Sequence, residues 1–179
     1  MVKALSEQHA TPDMNDLSFD ERLGSGQWLR DGLNLIIGGP TGVGKPGSHK
    51  ACRDGYSVRY LRLPRLMEEL ALAHGDGRFA KLMAGYTKTD LIILDDWRVA
   101  AFTATQRRGM LEVLDDRYGH RSTLVTSQMP MDRWHELIGD PTLADAILDR
   151  LVHNAYGIEL KGESMRRRAT KLTVIGTSD

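Results

Sequence analysis

Short apolar runs alternate with longer amphipathic stretches along this chain. The apolar runs lie at residues 33–37, 57–61, 91–94 and 122–127, and each is short enough for a strand. Between these runs apolar residues recur at helical spacing, which predicts intervening helices. Strands and helices in alternation are typical of βαβ units around a parallel sheet. We therefore predict an α/β fold, a three-layer sandwich with a mostly parallel central sheet.

Capping signals place three of the helices. Pro64 suits the first turn of a helix, and we expect that helix to end at Gly75. Thr103 and Gln106 have the spacing of a capping box at the start of a second helix. Asp140, followed by a proline, predicts the start of a third. This third helix carries an apolar stripe at positions 143, 147, 148 and 151.

The two ends of the chain differ in character from its middle. Residues 1–26 are mostly polar and predict a loosely packed N-terminal arm. The folded domain is expected over residues 27–168, followed by a C-terminal tail at 169–179. Late apolar runs at 158–160 and 172–175 predict terminal strands.

A glycine-rich loop directly follows the first predicted strand. In such loops consecutive backbone N–H groups converge on phosphate oxygens at a helix N-terminus, and a lysine adds a mobile cation. The candidate nucleotide-binding residues are Gly39, Pro40, Thr41, Gly42, Val43, Gly44 and Lys45. The next position normally carries Ser or Thr, whose hydroxyl helps to hold Mg²⁺, but here it is Pro46. The proline removes the hydroxyl and a backbone donor, so the Walker A motif is incomplete.

The segment after this loop is unusually short. Only residues 46–56 separate Lys45 from the next predicted strand, which leaves about 48–54 for a helix. A helix of that length spans roughly 10 Å, whereas a five-residue strand needs a return path of about 17 Å. We expect a truncated helix after the phosphate loop.

Acidic and hydroxyl side chains follow two later strands. Asp95 and Asp96 end the apolar run at 91–94, where a Walker B segment would place a metal ligand and a carboxylate that orients water. The alternative is a buried strand that ends in a solvated acidic turn. Thr126, Ser127 and Gln128 end the next strand, where they either sense the γ-phosphate or simply exit into solvent.

Composition excludes several classes of function. Lys and Arg together number 24, as do Asp and Glu, so no global positive field indicates nucleic acid. The local cationic candidates are Arg166, Arg167 and Arg168, then Arg107 and Arg108. A single cysteine and no apolar leader favour a cytoplasmic protein, and no run is long enough to span a membrane. The six histidines lack paired zinc-ligand spacing.

Several segments are distinctive as a set. The chain contains GPTGVGK at the loop, KTDLIILDDW at the acidic strand, and STLVTSQMPMDRWHELIGDPTLADAILDRLVHNAYGIELKGESMRRR after it. Together they resemble the IstB-like insertion-sequence transposition helper ATPases, which are related to DnaC-type helicase loaders of the AAA+ class. The resemblance covers residues 34–168. It implies a phosphate-loop NTPase fold of the AAA+ type.

The resemblance also implies roles for particular residues. Lys45 would hold the β and γ phosphates of ATP, Asp95 would bind Mg²⁺ and Asp96 would orient the catalytic water. Arg150 matches an arginine that reaches a neighbour's nucleotide, although it could instead pair with Asp145 or Asp149. The implied partners are double-stranded DNA, bound without sequence preference, a transposase, and further copies of the chain in a homo-oligomer.

Three functions remain open from the sequence. The first is an ATP-dependent DNA transposition helper that uses hydrolysis as a switch. The second is a hydrolysis-impaired or nucleotide-free interaction module of the same fold, as Pro46 suggests. The third is a small-molecule kinase, which shares the loop but would need an arginine-rich lid that we do not find in the sequence. The chain also departs from the family in its shortened N-terminal arm and in the tail after Arg168.

Overall fold

Five parallel strands form the centre of the molecule. The computed structural model describes residues 25–39, 48–97 and 102–159. Within them the strands are β1 (Asn34–Gly38), β2 (Val58–Arg62), β3 (Leu91–Asp95), β4 (Ser122–Ser127) and β5 (Ala155–Glu159). They pair in the order β2-β3-β4-β1-β5, and every pairing is parallel. The predicted α/β class with a central parallel sheet is confirmed.

Strand positions follow the apolar runs closely. The first two strands each begin one residue later than predicted, and β4 has the predicted bounds. The last described strand starts at Ala155 rather than at 158, because Ala155 already pairs with Asn34 of β1. The predicted strand at 172–175 lies outside the described residues, as do most of the predicted arm and the tail.

The described helices connect these strands. They are α1 (Gln27–Arg30), α2 (Ser48–Arg53), α3 (Leu63–Asp76), α4 (Phe79–Lys88), α5 (Ala104–Arg117), α6 (Trp134–Ile138) and α7 (Pro141–Val152), with a 3₁₀ turn at Met131–Arg133. The predicted capping box is present, since Thr103 and Gln106 bond reciprocally at the start of α5. The Asp140 carboxylate accepts the Leu143 N–H at 3.0 Å and caps α7. Both of these helix starts are confirmed.

The predicted end of α3 at Gly75 is wrong. The helix continues to Asp76, and Gly77 ends it with a φ of 76°, the left-handed conformation that glycine adopts without steric cost. Gly75 remains inside the helix. The sequence prediction also missed α4 and α6 as separate helices.

Two apolar layers cover the two faces of the sheet. One face packs against the longer helices α3, α4, α5 and α7 together with α6, and its core includes Trp97 and Trp134. The other face packs against the short helices α1 and α2 through Trp28 and Ala51. The sheet therefore lies between two helical layers, as a three-layer sandwich requires.

The helix after the phosphate loop is short, as predicted. It contains six residues, Ser48–Arg53, and so spans about 9 Å at 1.5 Å per residue. Its Ala51 is buried in the core, and the Ala51 carbonyl accepts the Tyr56 N–H at 3.1 Å. The rest of the return path to β2 is non-helical.

Arg117 is buried at the edge of the sheet where the strands begin, opposite the edge that carries the phosphate loop. Only 1% of this residue is exposed, and its guanidinium donates to the carbonyl oxygens of Tyr86 at 2.5 Å, Thr89 at 2.7 Å and Ser122. These carbonyls belong to the end of α4, to the segment that leads into β3 and to the first residue of β4. One side chain therefore fixes the starting points of two neighbouring strands. The sequence analysis missed this role.

Candidate nucleotide site

Strand register brings the predicted site residues to one edge of the sheet. Leu94 pairs with Val125, so Asp95 and Thr126 follow side by side on β3 and β4. Gly38, at the end of β1, pairs with Ser127. Because all the strands are parallel, their carboxyl ends meet at this edge, where open α/β sheets bind ligands. The phosphate loop begins at the same place.

The Asp95 carboxylate is held by hydroxyl groups from both neighbouring strands. The Thr126 hydroxyl of β4 hydrogen-bonds its Oδ1, and the Tyr60 hydroxyl of β2 hydrogen-bonds its Oδ2. Thr126 was expected near a phosphate, and its structural partner is the predicted metal ligand. Tyr60 was not foreseen. The bond depends on β2 lying beside β3, which the sequence alone does not reveal.

Asp96 occupies an unusual backbone conformation. Its φ is 63°, and it is the single non-glycine residue with positive φ among the described residues. L-residues other than Asn and Asp rarely adopt this region, because Cβ crowds the following carbonyl oxygen. The chain therefore turns sharply between the predicted metal ligand and Trp97.

The residue after this turn is tied firmly to β4. The Trp97 N–H donates to the Thr126 carbonyl at 3.1 Å, and the Ser127 hydroxyl lies 2.9 Å from the Trp97 carbonyl. The indole of Trp97 stacks on Trp134 with ring centroids 4.9 Å apart. Ser127 thus has a structural role at the site edge, and the acidic turn is fixed on both sides.

Gly39 is the one predicted loop residue that the structure describes. Its φ is 140°, which favours glycine, and its N–H donates to the Ser127 carbonyl at 3.0 Å. The other predicted nucleotide-binding residues, at positions 40–45, and Pro46 lie outside the described residues. Their roles stay predictions.

Within one copy of the chain, Arg150 and Asp95 lie toward opposite edges of the sheet. The adjacent end of α7 contacts the first residue of β1, because the Asn34 side-chain amide donates to the Arg150 carbonyl at 3.0 Å. Asp95 ends β3 at the opposite edge of the sheet. The Arg150 guanidinium donates to Asp115 at 2.6 Å and to Asp149 at 2.8 Å, and it covers the Tyr118 ring. The hydrogen bond to Asp115 is the main cause that raises the pKa of Arg150.

The alternative pairing of Arg150 with Asp149 is therefore present, whereas Asp145 pairs with His135 instead. Of the predicted site residues, the structure brings together Asp95 and Thr126, with Asp96 next along the chain, and Arg150 lies outside that cluster.

The basic candidates for DNA contact fall into two groups. Arg107 is half-buried, and one nitrogen of its guanidinium donates to the carbonyls of Phe102 and Ile138, while its contact with DNA stays a prediction. Its neighbour Arg108 is exposed. The cluster at 166–168 lies outside the described residues.

The oxygen donors at the sheet edge fit a hard cation. Asp95 and Asp96 supply carboxylates, and Thr126 supplies a hydroxyl. Mg²⁺ is commonly bound through one or two carboxylates together with substrate phosphates and water. A dedicated cluster of three or more His, Cys, Asp or Glu side chains is absent from the part of the chain that the structure describes. The donor set thus suits Mg²⁺ that arrives with a nucleotide.

Comparison with known protein families assigns the chain to one of them. Residues 1–173 match the family described as IstB-like ATP binding protein. The chain belongs to this family. The IstB-like match extends beyond residues 34–168 on both sides, so it includes the arm and part of the tail that the sequence resemblance did not cover.

An insertion sequence ATP-binding protein of Sinorhizobium fredii is 54% identical over 151 residues, a region that covers 82% of this chain and 62% of that relative. The chain thus spans less than two thirds of the relative's length. Among solved structures, the DnaC helicase loader has a TM-score of 0.60 at 17% identity and covers 85% of this chain and 95% of its own.

The replication initiator DnaA bound to AMPPCP and single-stranded DNA has a TM-score of 0.65 at 16% identity, covering 94% of this IstB-like chain and 53% of its own. At such low identity these structures show the fold alone. They confirm the predicted phosphate-loop AAA+ fold. Among the helices described, none has the length and apolar character needed to cross a bilayer.

Proposed function

We propose that this chain binds ATP together with Mg²⁺ and acts as a transposition helper. In this proposal it assembles on DNA, assists a partner transposase and uses ATP hydrolysis as a switch. One observation carries the proposal: in an IstB-like chain, Asp95 and Thr126 are bonded to each other at the sheet edge where the phosphate loop begins. This is where a parallel α/β sheet binds nucleotide phosphates.

Each residue at the edge has a distinct task in the proposal. Bound Mg²⁺ and ATP would supply a polarised phosphoryl group. The loop from Gly39 holds the phosphates through backbone N–H groups, and Lys45 neutralises their charge. The Asp95 carboxylate takes part in metal binding. Asp96, on the sharp turn, orients the attacking water or accepts its proton.

Arg150 would act on the nucleotide of a neighbouring copy. Its position beside the first residue of β1, at the edge of the sheet opposite Asp95, supports action on the nucleotide of another copy. An arginine suits this task because its planar fork stabilises charge on a phosphoryl group in the transition state. To reach a neighbour it must exchange its bonds to Asp115 and Asp149. We expect the neighbouring copies to form a homo-oligomer in the cytoplasm.

The proposed DNA contact is to the phosphate backbone of duplex DNA. Arg166, Arg167 and Arg168 are the main candidates, and exposed Arg108 is a further one. Equal numbers of acidic and basic residues mean that each copy supplies few phosphate contacts, so binding needs several copies side by side. We expect no sequence preference.

A second function is favoured by one feature of the sequence. Pro46 removes the loop hydroxyl that usually helps to hold Mg²⁺, and the following helix has six residues. Loss of one donor to a charged phosphate costs roughly 1.5 to 3 kcal/mol, or one to two decades in affinity. A chain of this kind could bind ATP without efficient hydrolysis and serve as an interaction module.

Turnover measurements separate the two functions. ATP hydrolysis should be measured with Mg²⁺ and duplex DNA for the unmodified chain, Pro46→Thr and Asp96→Asn. The hydrolytic helper predicts turnover by the unmodified chain that Asp96→Asn abolishes. The impaired module predicts turnover only in Pro46→Thr. Ordinary turnover by the unmodified chain would eliminate the second function, and absence of turnover from the unmodified chain would eliminate the first.

Action of Arg150 in trans has its own test. Arg150→Ala and Asp96→Asn should each be inactive alone, but a mixture should regain activity, because some interfaces combine an intact arginine with an intact acidic site. Activity that does not recover on mixing would contradict the role in trans. The control is a mixture of Asp96→Asn with Lys45→Ala, which leaves no intact acidic and lysine pair in one copy.

A further inference from the structure

We infer that Tyr60 is a positioning residue for Asp95, and that its hydroxyl holds the Asp95 carboxylate in the orientation that Mg²⁺-ATP binding needs. This inference rests on the proposed function. It assigns a task to a side chain on β2, a strand to which the sequence motifs give no role.

The geometry follows from the register of two strands. Tyr60 of β2 pairs with Ile93 of β3, two residues before Asp95. Since side chains alternate along a strand, Tyr60 and Asp95 extend from the same face of the sheet. Two residues along a strand cover about 6.6 Å, which a tyrosine side chain can span. The Tyr60 hydroxyl thereby reaches Oδ2 of Asp95.

Two hydroxyls act on the carboxylate together. Thr126 bonds Oδ1 from one side and Tyr60 bonds Oδ2 from the other, so rotation of the carboxylate would break both bonds. Each carboxylate oxygen has two lone pairs and keeps capacity for a cation. Groups that hydrogen-bond a metal-binding carboxylate typically contribute about 10-fold to 100-fold to metal affinity. Because proline at position 46 lacks the loop hydroxyl that usually helps to hold Mg²⁺, metal binding depends more strongly on the hydroxyls of Thr126 and Tyr60.

The exposure of Tyr60 distinguishes a role in positioning Asp95 from a role in folding. Tyr60 is 46% exposed and its bond to Asp95 is exposed, so removing the hydroxyl leaves no buried polar group unpaired. Tyr60→Phe keeps the ring and the strand, and it should fold normally. A matched control is Tyr56→Phe, because Tyr56 is half-buried against the core layer that contains Trp28 and its hydroxyl has no bonding partner among residues 25–39, 48–97 and 102–159.

The test is calorimetric titration of the full chain with ATP, once with Mg²⁺ and once with EDTA. We expect Tyr60→Phe to weaken Mg²⁺-ATP binding about 10-fold while its affinity for ATP in EDTA is unchanged. Tyr56→Phe should match the unmodified chain in both conditions, and all three proteins should unfold at similar temperatures.

Two results would overturn the inference. In the first, Mg²⁺ strengthens ATP binding by Tyr60→Phe as much as it does in the unmodified chain. In the second, Tyr60→Phe loses affinity for ATP equally with Mg²⁺ and with EDTA. Failure of the proposed function looks different, because the unmodified chain itself would then show no ATP binding or no effect of Mg²⁺.

Discussion

Replacing Arg117 with methionine should destabilise the sheet that carries the site. The methionine keeps an unbranched apolar stem but removes the guanidinium, and the carbonyls of Tyr86, Thr89 and Ser122 lose its hydrogen bonds. The Tyr86 carbonyl still accepts the Thr89 N–H, so the loss is that of hydrogen bonds from a charged donor. Such a bond contributes about 1.5 to 3 kcal/mol, so three of them at about 2 kcal/mol each contribute about 6 kcal/mol.

An opposing effect reduces this cost. Burial is the main cause that lowers the pKa of Arg117 to about 10, which reflects the unfavourable burial of its charge. This lowering of the pKa below that of an ordinary arginine corresponds to about 3 kcal/mol, which removal of the charge returns. The expected net loss is therefore about 3 kcal/mol in the free energy of unfolding.

Urea denaturation followed by circular dichroism measures this loss, and thermal unfolding should show a drop of about 6 to 12 °C. Arg121→Met is the control, because Arg121 is 41% exposed and forms an ion pair with Asp90 that should contribute less than about 1 kcal/mol. If Arg117→Met loses no more stability than Arg121→Met, the anchoring role of the buried guanidinium is refuted.

Three further substitutions test the site and its support. Thr126→Val removes the hydroxyl that bonds Asp95 and should weaken Mg²⁺-ATP binding about 10-fold in calorimetry, with little change in ATP binding in EDTA. Asp96→Gly should be about 1 kcal/mol more stable to urea than Asp96→Ala, since only glycine accepts a φ of 63° without steric cost, and both should lack ATP turnover. Asp90→Asn tests pH dependence: hydrogen bonds from the Ser57 hydroxyl and N–H lower the pKa of Asp90, so its stabilising effect is present above about pH 4 and lost as pH falls through the lowered value. The deficit of Asp90→Asn in unfolding free energy should therefore be larger at pH 7 than at pH 3.

Each of these predictions has a contrary result. Unchanged Mg²⁺-ATP affinity in Thr126→Val would mean that its bond does not orient Asp95, and Thr126→Ser, which keeps the hydroxyl, is its control. Equal stability of the glycine and alanine variants at position 96 would argue against a strained turn. A deficit in Asp90→Asn that is the same at both pH values would show that the Asp90 charge plays no part.

Local signals in the sequence were sufficient for the strands and for several helix starts. Parallel strands are buried on both faces, so their apolar runs stand out, and the Thr103 and Asp140 caps depend only on residues three positions away. The end of α3 shows the limit of this approach. Gly75 and Gly77 both suit a helix terminus, and the left-handed conformation occurs at Gly77.

The site was predictable along each strand but not between strands. Asp95, Asp96 and Thr126 were found because each follows an apolar run. The Tyr60 bond to Asp95 and the convergence of carbonyls on Arg117 depend on which strands lie side by side. Strand order is set by packing of the whole sheet, so these contacts carry no local signature in the sequence.

Calorimetric titration of the unmodified chain with ATP and Mg²⁺ tests the central claim most directly, with Lys45→Ala as the control. The account predicts saturable ATP binding that Mg²⁺ strengthens and that Lys45→Ala weakens strongly. Absence of binding, or binding of equal strength in Lys45→Ala, would contradict the assignment of this sheet edge as a nucleotide site.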